Sequence, residues 1–408
     1  MVPNGWEVKK LGELCSLNPK KPSKPDDGVV SFIAMPQLSE SGKVISTKKK
    51  PYDEVSKGFT SFVDKDVLVA KITPCFENGK GALVDNLENG IGFGSTEFHV
   101  LRAKKGTHPE FIYYLTRTKE LRVKGEMNMQ GSAGHRRVTT DYFNAYKVVT
   151  PPYSEQRKIA KILSTWDKAI TTTEKLIETS KQQKKALMQQ LLTGKKRLVD
   201  PETGKAFEGE WEEVKLRKLG KCITGLTYSP SDVVEEGTLV LRSSNIQGGK
   251  LSFLDNVFVS SSIKEDSRTR IGDILICVRN GSRNLIGKSA YITDKASGQA
   301  HGAFMTLFRG KYPEFVYQLF QTSLFFQQVN KNLGATINSI NTSDLHKFKF
   351  YLPKDETEIA KIASVLTATD KEIEVLEAKL AHFKQEKKAL MQQLLTGKKR
   401  VVIEHNVT

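Results

Sequence analysis

Two stretches of the chain carry apolar residues at the alternating three- and four-residue spacing of a helix seam. In the first stretch, residues 155–194, the seam consists of Ile159, Ile162, Trp166, Ile170, Ile177, Leu187 and Leu191. In the second, the seam consists of Ile362, Val365, Ile373, Leu376, Leu380, Phe383, Leu390 and Leu394. Gly194 and Gly397 follow the last seam residues, where a glycine suits the left-handed end of a helix. The pattern predicts two long helices of the coiled-coil or bundle type, each about 40 residues and roughly 60 Å long.

The two seams differ in side-chain size at positions 203 residues apart. The exchanged pairs are Trp166 with Thr369, Thr173 with Leu376, and Ser180 with Phe383. We expect the helices to pack antiparallel, with bulky side chains of one helix filling the gaps beside small ones of the other. The alternative is that each helix packs only on its own globular segment.

The chain is a tandem repeat. The string KKALMQQLLTGKKR occupies residues 184–197 and again 387–400, and extending the match back to Glu155 and Glu358 gives 25 identities in 43 positions. The segments before each copy match only at anchors, which are Trp6 with Trp211, Asp66 with Asp273, 109–111 with 313–315, Gly131 with Gly334, and Asp141 with Asp344. A duplicated frame with diverged contents indicates one task performed on two different targets.

The segments that precede the two helices, residues 1–154 and about 205–355, alternate short apolar runs with Gly, Pro and Asn turns. Examples are VVSFIAM at 29–35 and GDILICV at 272–278, and each segment has one amphipathic helix, at 109–118 and 313–322. This pattern predicts an α+β fold, with two mixed domains separated by two long antiparallel helices in a pseudo-twofold tandem repeat. The expected boundaries are 1–154 and 198–355 for the domains, and 155–197 and 356–400 for the helices.

The formal charge of +17 suggests a polyanionic partner. Residues 155–197 contribute +7 of it, so the charge is concentrated in one helix and does not decide the function. No segment reaches the ~20 apolar residues of a membrane span, and the N-terminus lacks the apolar core of a signal peptide. Four cysteines without a CxxC pair are expected to be reduced thiols. We therefore expect a cytoplasmic protein without a membrane partner.

Polar and basic residues concentrate in the turns that follow the predicted strands. Arginine can read guanine bidentately and asparagine can read adenine, so these turns suit base edges, whereas lysines suit phosphates. In the first domain the candidates are Lys71, Thr73, Glu77, Asn78, Lys80, Ser132, His135, Arg136 and Arg137, with Lys48, Lys49 and Lys50 expected on phosphates. In the second domain they are Arg242, Ser244, Asn245, Gln247, Arg279, Asn280, Ser282, Arg283, Asn284, Asn338 and Asn341. For any single residue a solvated loop is the simpler explanation, and it is the matched placement in both repeats that favours DNA contact.

The sequence contains only incomplete versions of known catalytic motifs. Thr150-Pro151-Pro152-Tyr153 has threonine where the (N/D)PPY motif of adenine methyltransferases needs Asn or Asp, and the second repeat has Leu352-Pro353-Lys354 there. Ile91-Gly92-Phe93-Gly94-Ser95 lacks the strand and helix that flank a cofactor loop. No GxxxxGK[ST] or HExxH motif and no metal-ligand spacing occurs. We expect a non-catalytic chain without metal or catalytic residues.

The repeated frame, two diverged domains and two repeated helices resemble the specificity subunits of type I restriction-modification systems over essentially the whole chain. The residues that carry the resemblance are Trp6…Leu11-Gly12, Trp211…Leu219-Gly220, Gly272-Asp273-Ile274-Leu275-Ile276, and the stretches at 151–160 and 185–192. The second helix departs from the pattern, because residues 355–358 lack its Pro-Pro and Gln.

The resemblance implies that each domain reads one half of an interrupted double-stranded DNA site and that the helices set the spacer. It also implies two copies of an adenine methyltransferase subunit that uses S-adenosylmethionine, and an ATP-driven, Mg²⁺-dependent restriction and translocase subunit. The cofactors would then belong to the partners and none to this chain. Two other hypotheses are a stand-alone DNA-modifying enzyme and a coiled-coil scaffold with non-specific DNA binding.

Overall fold

The chain folds into two units that interleave along the sequence. In a computed structural model, which describes residues 2–132, 134–260, 262–333 and 338–403, unit 1 holds the residues up to Glu174 together with those from Lys379 onward. Unit 2 is Lys175–Ala378. Each unit therefore combines one globular segment with parts of both long helices. The predicted α+β tandem repeat with two long helices is confirmed.

Unit 1 begins with the first globular segment. Its strands are β1 (Glu7–Lys10), β2 (Cys15–Leu17), β3 (Val29–Ile33), β4 (Lys48–Pro51), β5 (Thr60–Val63), β6 (Val67–Ala70), β7 (Gly81–Leu83), β8 (Ile91–Gly94), β9 (Phe98–Ala103), β10 (Met129–Gln130), β11 (Arg137–Val138) and β12 (Lys147–Thr150). Its helices are α1 (Leu11–Leu14), α2 (Tyr52–Val55), α3 (Pro109–Thr116), α4 (Lys119–Met127), α5 (Thr140–Ala145) and the start of α6 (Tyr153–Leu191).

Two four-stranded sheets form the body of unit 1. One is antiparallel with strand order β2-β9-β6-β7, and the other has order β4-β3-β8-β5 with β3 parallel to β8. Strand β6 is buried on both faces. Val67 and Val69 on one face belong to the core cluster that includes α3, while Leu68 on the other face packs in the cluster that includes Phe62 of β5. This explains its continuous apolar sequence.

Unit 2 repeats this arrangement. Its strands are β13 (Trp211–Lys215), β14 (Gly220–Thr224), β15 (Val233–Val234), β16 (Thr238–Leu241), β17 (Ile246–Gln247), β18 (Lys250–Leu251), β19 (Phe258–Val259), β20 (Ile274–Cys277), β21 (Ser289–Tyr291), β22 (Ala300–His301), β23 (Met305–Gly310) and β24 (Lys349–Pro353). Its helices are α7 (Leu216–Leu219), α8 (Pro313–Leu319), α9 (Ser323–Asn332), α10 (Thr342–Leu345) and the start of α11 (Glu356–Leu394).

The first sheet of unit 2 has the same connectivity as that of unit 1, whereas the second sheets share three strands and differ in the fourth. Strand β15 pairs with β19 in unit 2, while β5 pairs with β8 in unit 1. The orders are β14-β23-β20-β21 and β15-β19-β16-β22, with β16 parallel to β22. In both units the first and last strands of the globular segment pair antiparallel, β1 with β12 and β13 with β24, and the long helix follows directly. The duplication inferred from scattered anchors is therefore a duplication of topology in the first sheet and in the strand pair that leads into each long helix. The anchor Gly334 lies outside the described residues.

The long helices α6 and α11 have 39 residues each. Gly194 and Gly397 follow them with left-handed φ of 69° and 73°, as predicted for helix ends. Helix α6 starts at Tyr153, directly after Pro152, so the prolines at 151–152 end β12 and open a helix.

Within each unit the two helices run antiparallel, as predicted, because residues further along α6 pair with residues that come earlier in α11. The ion pairs between α6 and α11 in unit 1 are Asp167–Lys387 (2.6 Å) and Glu174–Lys384 (2.9 Å). Those of unit 2 are Lys181–Glu377 (2.7 Å) and Lys184–Asp370 (2.6 Å). All four pairs join residues that are identical in the two repeats. The helices also pack on their globular segments, since Ile159 and Leu163 belong to the core cluster that contains α3.

The expected matching of bulky with small seam residues is wrong. Trp166 and Phe383 lie opposite each other in unit 1, edge to face with ring centroids 5.5 Å apart. The equivalent positions in unit 2 are Thr369 and Ser180, so two large residues meet in one unit where the other has two small ones. An edge-to-face pair contributes more than its buried area alone, and the seam of unit 1 has this pair where unit 2 has none.

The four cysteines are free thiols, as expected. Burial raises the pKa of Cys15 to about 12 and that of Cys277 to about 11. In the described part of the chain, no helix combines the length and the apolar character that a membrane crossing needs.

Candidate nucleic-acid interface

Three loops meet at the same place in each unit. We call the loops at 71–80, 95–97 and 134–137 cluster 1, and the loops at 278–284, 302–304 and 338–341 cluster 2. Equivalent backbone hydrogen bonds hold the loops together in the two units. The backbone amide of Lys71 donates to the backbone carbonyl of Glu97 (2.9 Å), and in the same way the amide of Val278 donates to the carbonyl of Phe304 (3.0 Å). The amides of Thr73 and Asn280 likewise donate to the carbonyls of Arg136 (2.9 Å) and Asn338 (3.2 Å). The two clusters are thus one loop frame with different side chains.

The anchor aspartates explain why these loops are held in place. Asp66 is buried just before β6 and accepts two hydrogen bonds from Arg102 of β9, at 2.8 and 2.7 Å. Asp273 accepts the same pair from Arg309, at 2.8 and 2.7 Å, just before β20. Each ion pair fixes one end of a buried strand whose other end carries the loops of the cluster.

Cluster 1 alternates acids with arginines. Glu97 accepts from Arg137 at 2.8 and 3.0 Å, and these hydrogen bonds hold the pKa of Glu97 below its usual range. Glu77 accepts from the Thr73 hydroxyl, and its carboxylate lies 3.8 Å from Arg136. The loops predicted at 71–80 and 131–137 are therefore brought together, and their arginines are already paired with carboxylates.

The other candidates of the first domain are spread more widely. Lys71 and Lys80 are half-buried, Ser132 and His135 are exposed, and Asn78 donates to Glu40 (3.0 Å). Lys48, Lys49 and Lys50 lie on the edge strand β4 of the second sheet, where Lys49 pairs with Glu88 (2.7 Å) and Lys50 with Glu54 (3.7 Å). Such exposed pairs are weak, so they leave these lysines able to meet a phosphate.

Cluster 2 is richer in donors. Arg279 is exposed, and within the described residues no hydrogen bond or ion pair occupies its guanidinium group. Asn280 donates to Ser243 (3.0 Å) and Asn338 donates to the Gly281 carbonyl (3.0 Å). Three further candidates, Ser282, Arg283 and Asn284, are exposed on the same loop. This surface has the chemistry of base reading by Arg and Asn.

The loop at 242–247 is largely structural. Asn245 is fully buried, and its amide donates to the carbonyls of Ser252 (2.9 Å) and Asp255 (3.2 Å). We therefore assign Asn245 to shaping this loop and not to reading a base. Arg242 pairs with Asp255 (3.0 Å). Of the remaining candidates, Ser244 is half-buried, while Gln247 and Asn341 are exposed.

Sequence reasoning missed two cluster residues, Glu97 and Phe304. Both lie in the turn before a central strand, β9 or β23, and the divergence between the repeats hides that they are equivalent. Only the backbone hydrogen bonds reveal the match.

The repeated segment KKALMQQLL is partly buried in both copies. The first lysine of each copy, Lys184 and Lys387, is engaged by the aspartate of the other helix. The leucines at 191–192 and 394–395 are core residues. The identical residues that stay exposed in both copies are Lys185, Gln189 and Gln190 with Lys388, Gln392 and Gln393.

The sequence matches the family described as "Type I restriction modification DNA specificity domain" twice, at residues 3–181 and 208–385. The chain belongs to this family. The two matches correspond to the two globular segments with most of the helix that follows each. In the described residues, no group of His, Cys, Asp and Glu side chains is arranged to hold a metal ion.

Curated relatives are named as specificity subunits of type I restriction enzymes. The chain is 27% identical to the type I restriction enzyme MjaVIII specificity subunit of Methanocaldococcus jannaschii, over 98% of this chain and 94% of the relative. It is 33% identical to the type I restriction enzyme EcoEI specificity subunit of Escherichia coli, over 52% of this chain and 36% of the relative. The chain spans only 36% and 27% of the length of the EcoEI and EcoAI specificity subunits of Escherichia coli.

The fold of this chain is also that of solved structures. The type I restriction-modification system S subunit from M. genitalium superposes with a TM-score of 0.61, at 14% identity, over 97% of this chain and 98% of that one. A structure from a study of assembly and conformational transition of the type I R-M system gives 0.56 at 20% identity, covering 98% of this chain and 100% of the other.

Proposed function

We propose that this chain is the sequence-reading subunit of a type I restriction-modification complex and has no catalytic role of its own. Cluster 1 and cluster 2 each contact one half of an interrupted double-stranded DNA site. The observation that supports this most is one loop frame, held by equivalent backbone hydrogen bonds, with different side chains in the two units. A chain that binds DNA without regard to sequence has no need of two diverged surfaces on one repeated frame.

Two copies of an adenine methyltransferase subunit are the partners that we propose for the helices. The supporting feature is the set of exposed Lys and Gln residues that is identical in the two copies of the helical repeat. Burial accounts for the identity of the leucines, and ion pairing accounts for that of the first lysines, but neither accounts for these residues. In this proposal S-adenosylmethionine is bound by the methyltransferase, and ATP and Mg²⁺ by a restriction and translocase subunit.

Genome-wide mapping of methyladenine tests the function directly. This chain and the methyltransferase subunit encoded beside it are expressed together in a host that lacks adenine methylation. We expect one interrupted motif with two defined halves. Expression of the methyltransferase without this chain is the control and should give no motif. If a stable complex forms and no new methylation appears, the chain is a scaffold or an inactive reader, and the proposal fails.

Lengthening both helices is expected to change the spacer of the recognised site. A heptad inserted after Lys175 in α6 and another after Ala378 in α11 keeps the seam in register, because these positions are equivalent in the repeat. Seven residues add about 10 Å, which is about three base pairs at roughly 3.4 Å each. The mapped motif should therefore keep both halves and gain about three base pairs between them.

The control for this insertion is seven residues placed in the exposed turn at 202–205, which should leave the spacer as it is. An unchanged spacer in the double-helix variant would show that the helices do not measure it.

A further inference from the structure

The two clusters differ at three positions that contact one another. In cluster 1 an isolated β-bridge pairs Ile72 with Arg137, and the Arg137 guanidinium donates to the Glu97 carboxylate. In cluster 2 the same pairing joins Arg279 with Ser339, and Phe304 stands where Glu97 does. An ion pair next to an isoleucine has thus been exchanged for an arginine next to an aromatic ring.

Glu97 of cluster 1 is paired with Arg137, whereas Phe304, its equivalent in cluster 2, has Ser339 at the position of that arginine. The Phe304 side chain is 55% exposed, and the Arg279 guanidinium lies 5.7 Å from the ring centroid, within the range of a cation–π contact. Single exposed apolar residues are common on proteins. This one, however, projects from a loop cluster whose other large exposed side chains are hydrogen-bond donors.

The combination of the Phe304 ring and the Arg279 guanidinium matches base edges that are presented in the major groove of DNA. In the major groove a thymine presents its C5 methyl group, which apolar side chains contact, while guanine presents two acceptors that an arginine can meet bidentately. A separation of 5.7 Å between guanidinium and ring fits base pairs one or two steps apart, at about 3.4 Å per step. Cluster 1 has no apolar group at this position, since Glu97 is ionised and paired.

We propose that Phe304 is a specificity-determining residue of unit 2 that contacts the C5 methyl of a thymine, beside a guanine read by Arg279. The proposal rests on the function proposed above and assigns this recognition to unit 2 only. Unit 1 reads its half-site with carboxylates and arginines.

Replacing each thymine of the target by deoxyuridine, one at a time, removes only the methyl group. Affinities of the complex of this chain with its methyltransferase subunit are measured by fluorescence anisotropy on duplexes of the mapped site. At one thymine, in one half-site, we expect the wild type to lose about fourfold in affinity, the worth of one buried methyl-sized group. Phe304→Ala should bind the thymine duplex about as weakly as the wild type binds the deoxyuridine duplex, and should lose nothing further on that replacement.

The control is Ile271→Ala, another exposed apolar residue, placed at the opposite end of β20. It should discriminate thymine from deoxyuridine as the wild type does. The proposal is overturned if no thymine is methyl-dependent in the wild type, or if Phe304→Ala keeps the full methyl dependence. It is also overturned if Phe304→Ala weakens binding equally for all duplexes, which would make the ring a wedge between bases. A wild-type complex without any sequence preference would instead refute the proposed function.

Discussion

Asp273→Ala is expected to destabilise unit 2 by about 3–5 kcal/mol, the usual cost of removing one partner from a buried ion pair. Asp273 is 1% exposed and accepts three hydrogen bonds, two from Arg309 and one from the backbone amide of Arg270 (2.7 Å). Alanine leaves the guanidinium of Arg309 largely buried without a counter-charge. Amide hydrogen exchange in β20 should report the loss as reduced protection, while exchange in β6 of unit 1 stays unchanged.

A matched control is Glu210→Ala, which removes an exposed ion pair with Lys354 from the same unit. Its exchange should equal that of the wild type. Asp273→Asn separates charge from hydrogen bonding and should fall between alanine and wild type. A loss of less than about 1 kcal/mol in Asp273→Ala would contradict the assignment, because a buried charge pair costs more than that to break.

Arg197→Ala is expected to release the start of α11, at a cost of about 3 kcal/mol or more. Glu358 in the first turn of α11 is fully buried, and Arg197 donates to both of its carboxylate oxygens, at 2.6 and 2.7 Å. Within the described residues, no other side chain donates to that carboxylate. Removing Arg197 therefore leaves a buried charge without a partner. Urea denaturation and amide exchange at 356–366 measure the effect.

The repeat itself supplies the comparison variant. Arg400 pairs with Glu155 in unit 1 as Arg197 pairs with Glu358 in unit 2, but Glu155 also accepts from the indole of Trp6 (3.2 Å) and the Arg400 side chain is 45% exposed. Arg400→Ala should therefore cost clearly less than Arg197→Ala. Equal losses in the two variants would mean that burial and the second donor do not matter here.

Much of the fold could be predicted because its signals are local. The seam spacing predicts both long helices, and Gly194 and Gly397 mark their ends. Helices α4 and α9 were not predicted, although Thr118 and Thr322 cap them by accepting from the amides of Leu121 and Phe325. Their apolar faces are short, so the capping residue was the stronger signal.

The packing partners could not be predicted from the same patterns. Side-chain size along a seam does not say which residues lie opposite, and Trp166 meets Phe383 because the antiparallel register decides it. The anchors Asp66 and Asp273 were visible as matches, but their arginines lie 36 residues further on in strands of low identity.

The candidate loops at 71–80 and 134–137 lie together in the structure, as do those at 278–284 and 338–341, while the orientation of individual side chains was harder to predict. Asn245 has the chemistry of a base reader and is buried inside its own loop. Phe304 has the chemistry of a core residue and is exposed. In both cases the decisive fact is the direction of one side chain in an irregular turn, which residue type alone does not determine.

The interleaving of the two units has a consequence for the order in which the protein is made. Leu394 and Leu395 belong to the same core cluster as Trp6 and Leu11, so unit 1 lacks part of its core until residues 394–395 leave the ribosome. Unit 2 is translated without interruption between the two parts of unit 1, which takes roughly 10–40 s at about 5–20 residues per second. Unit 1 is therefore completed after unit 2, although its globular segment is translated first. A chain whose synthesis stops before residue 390 would carry a finished unit 2 beside an unfinished unit 1.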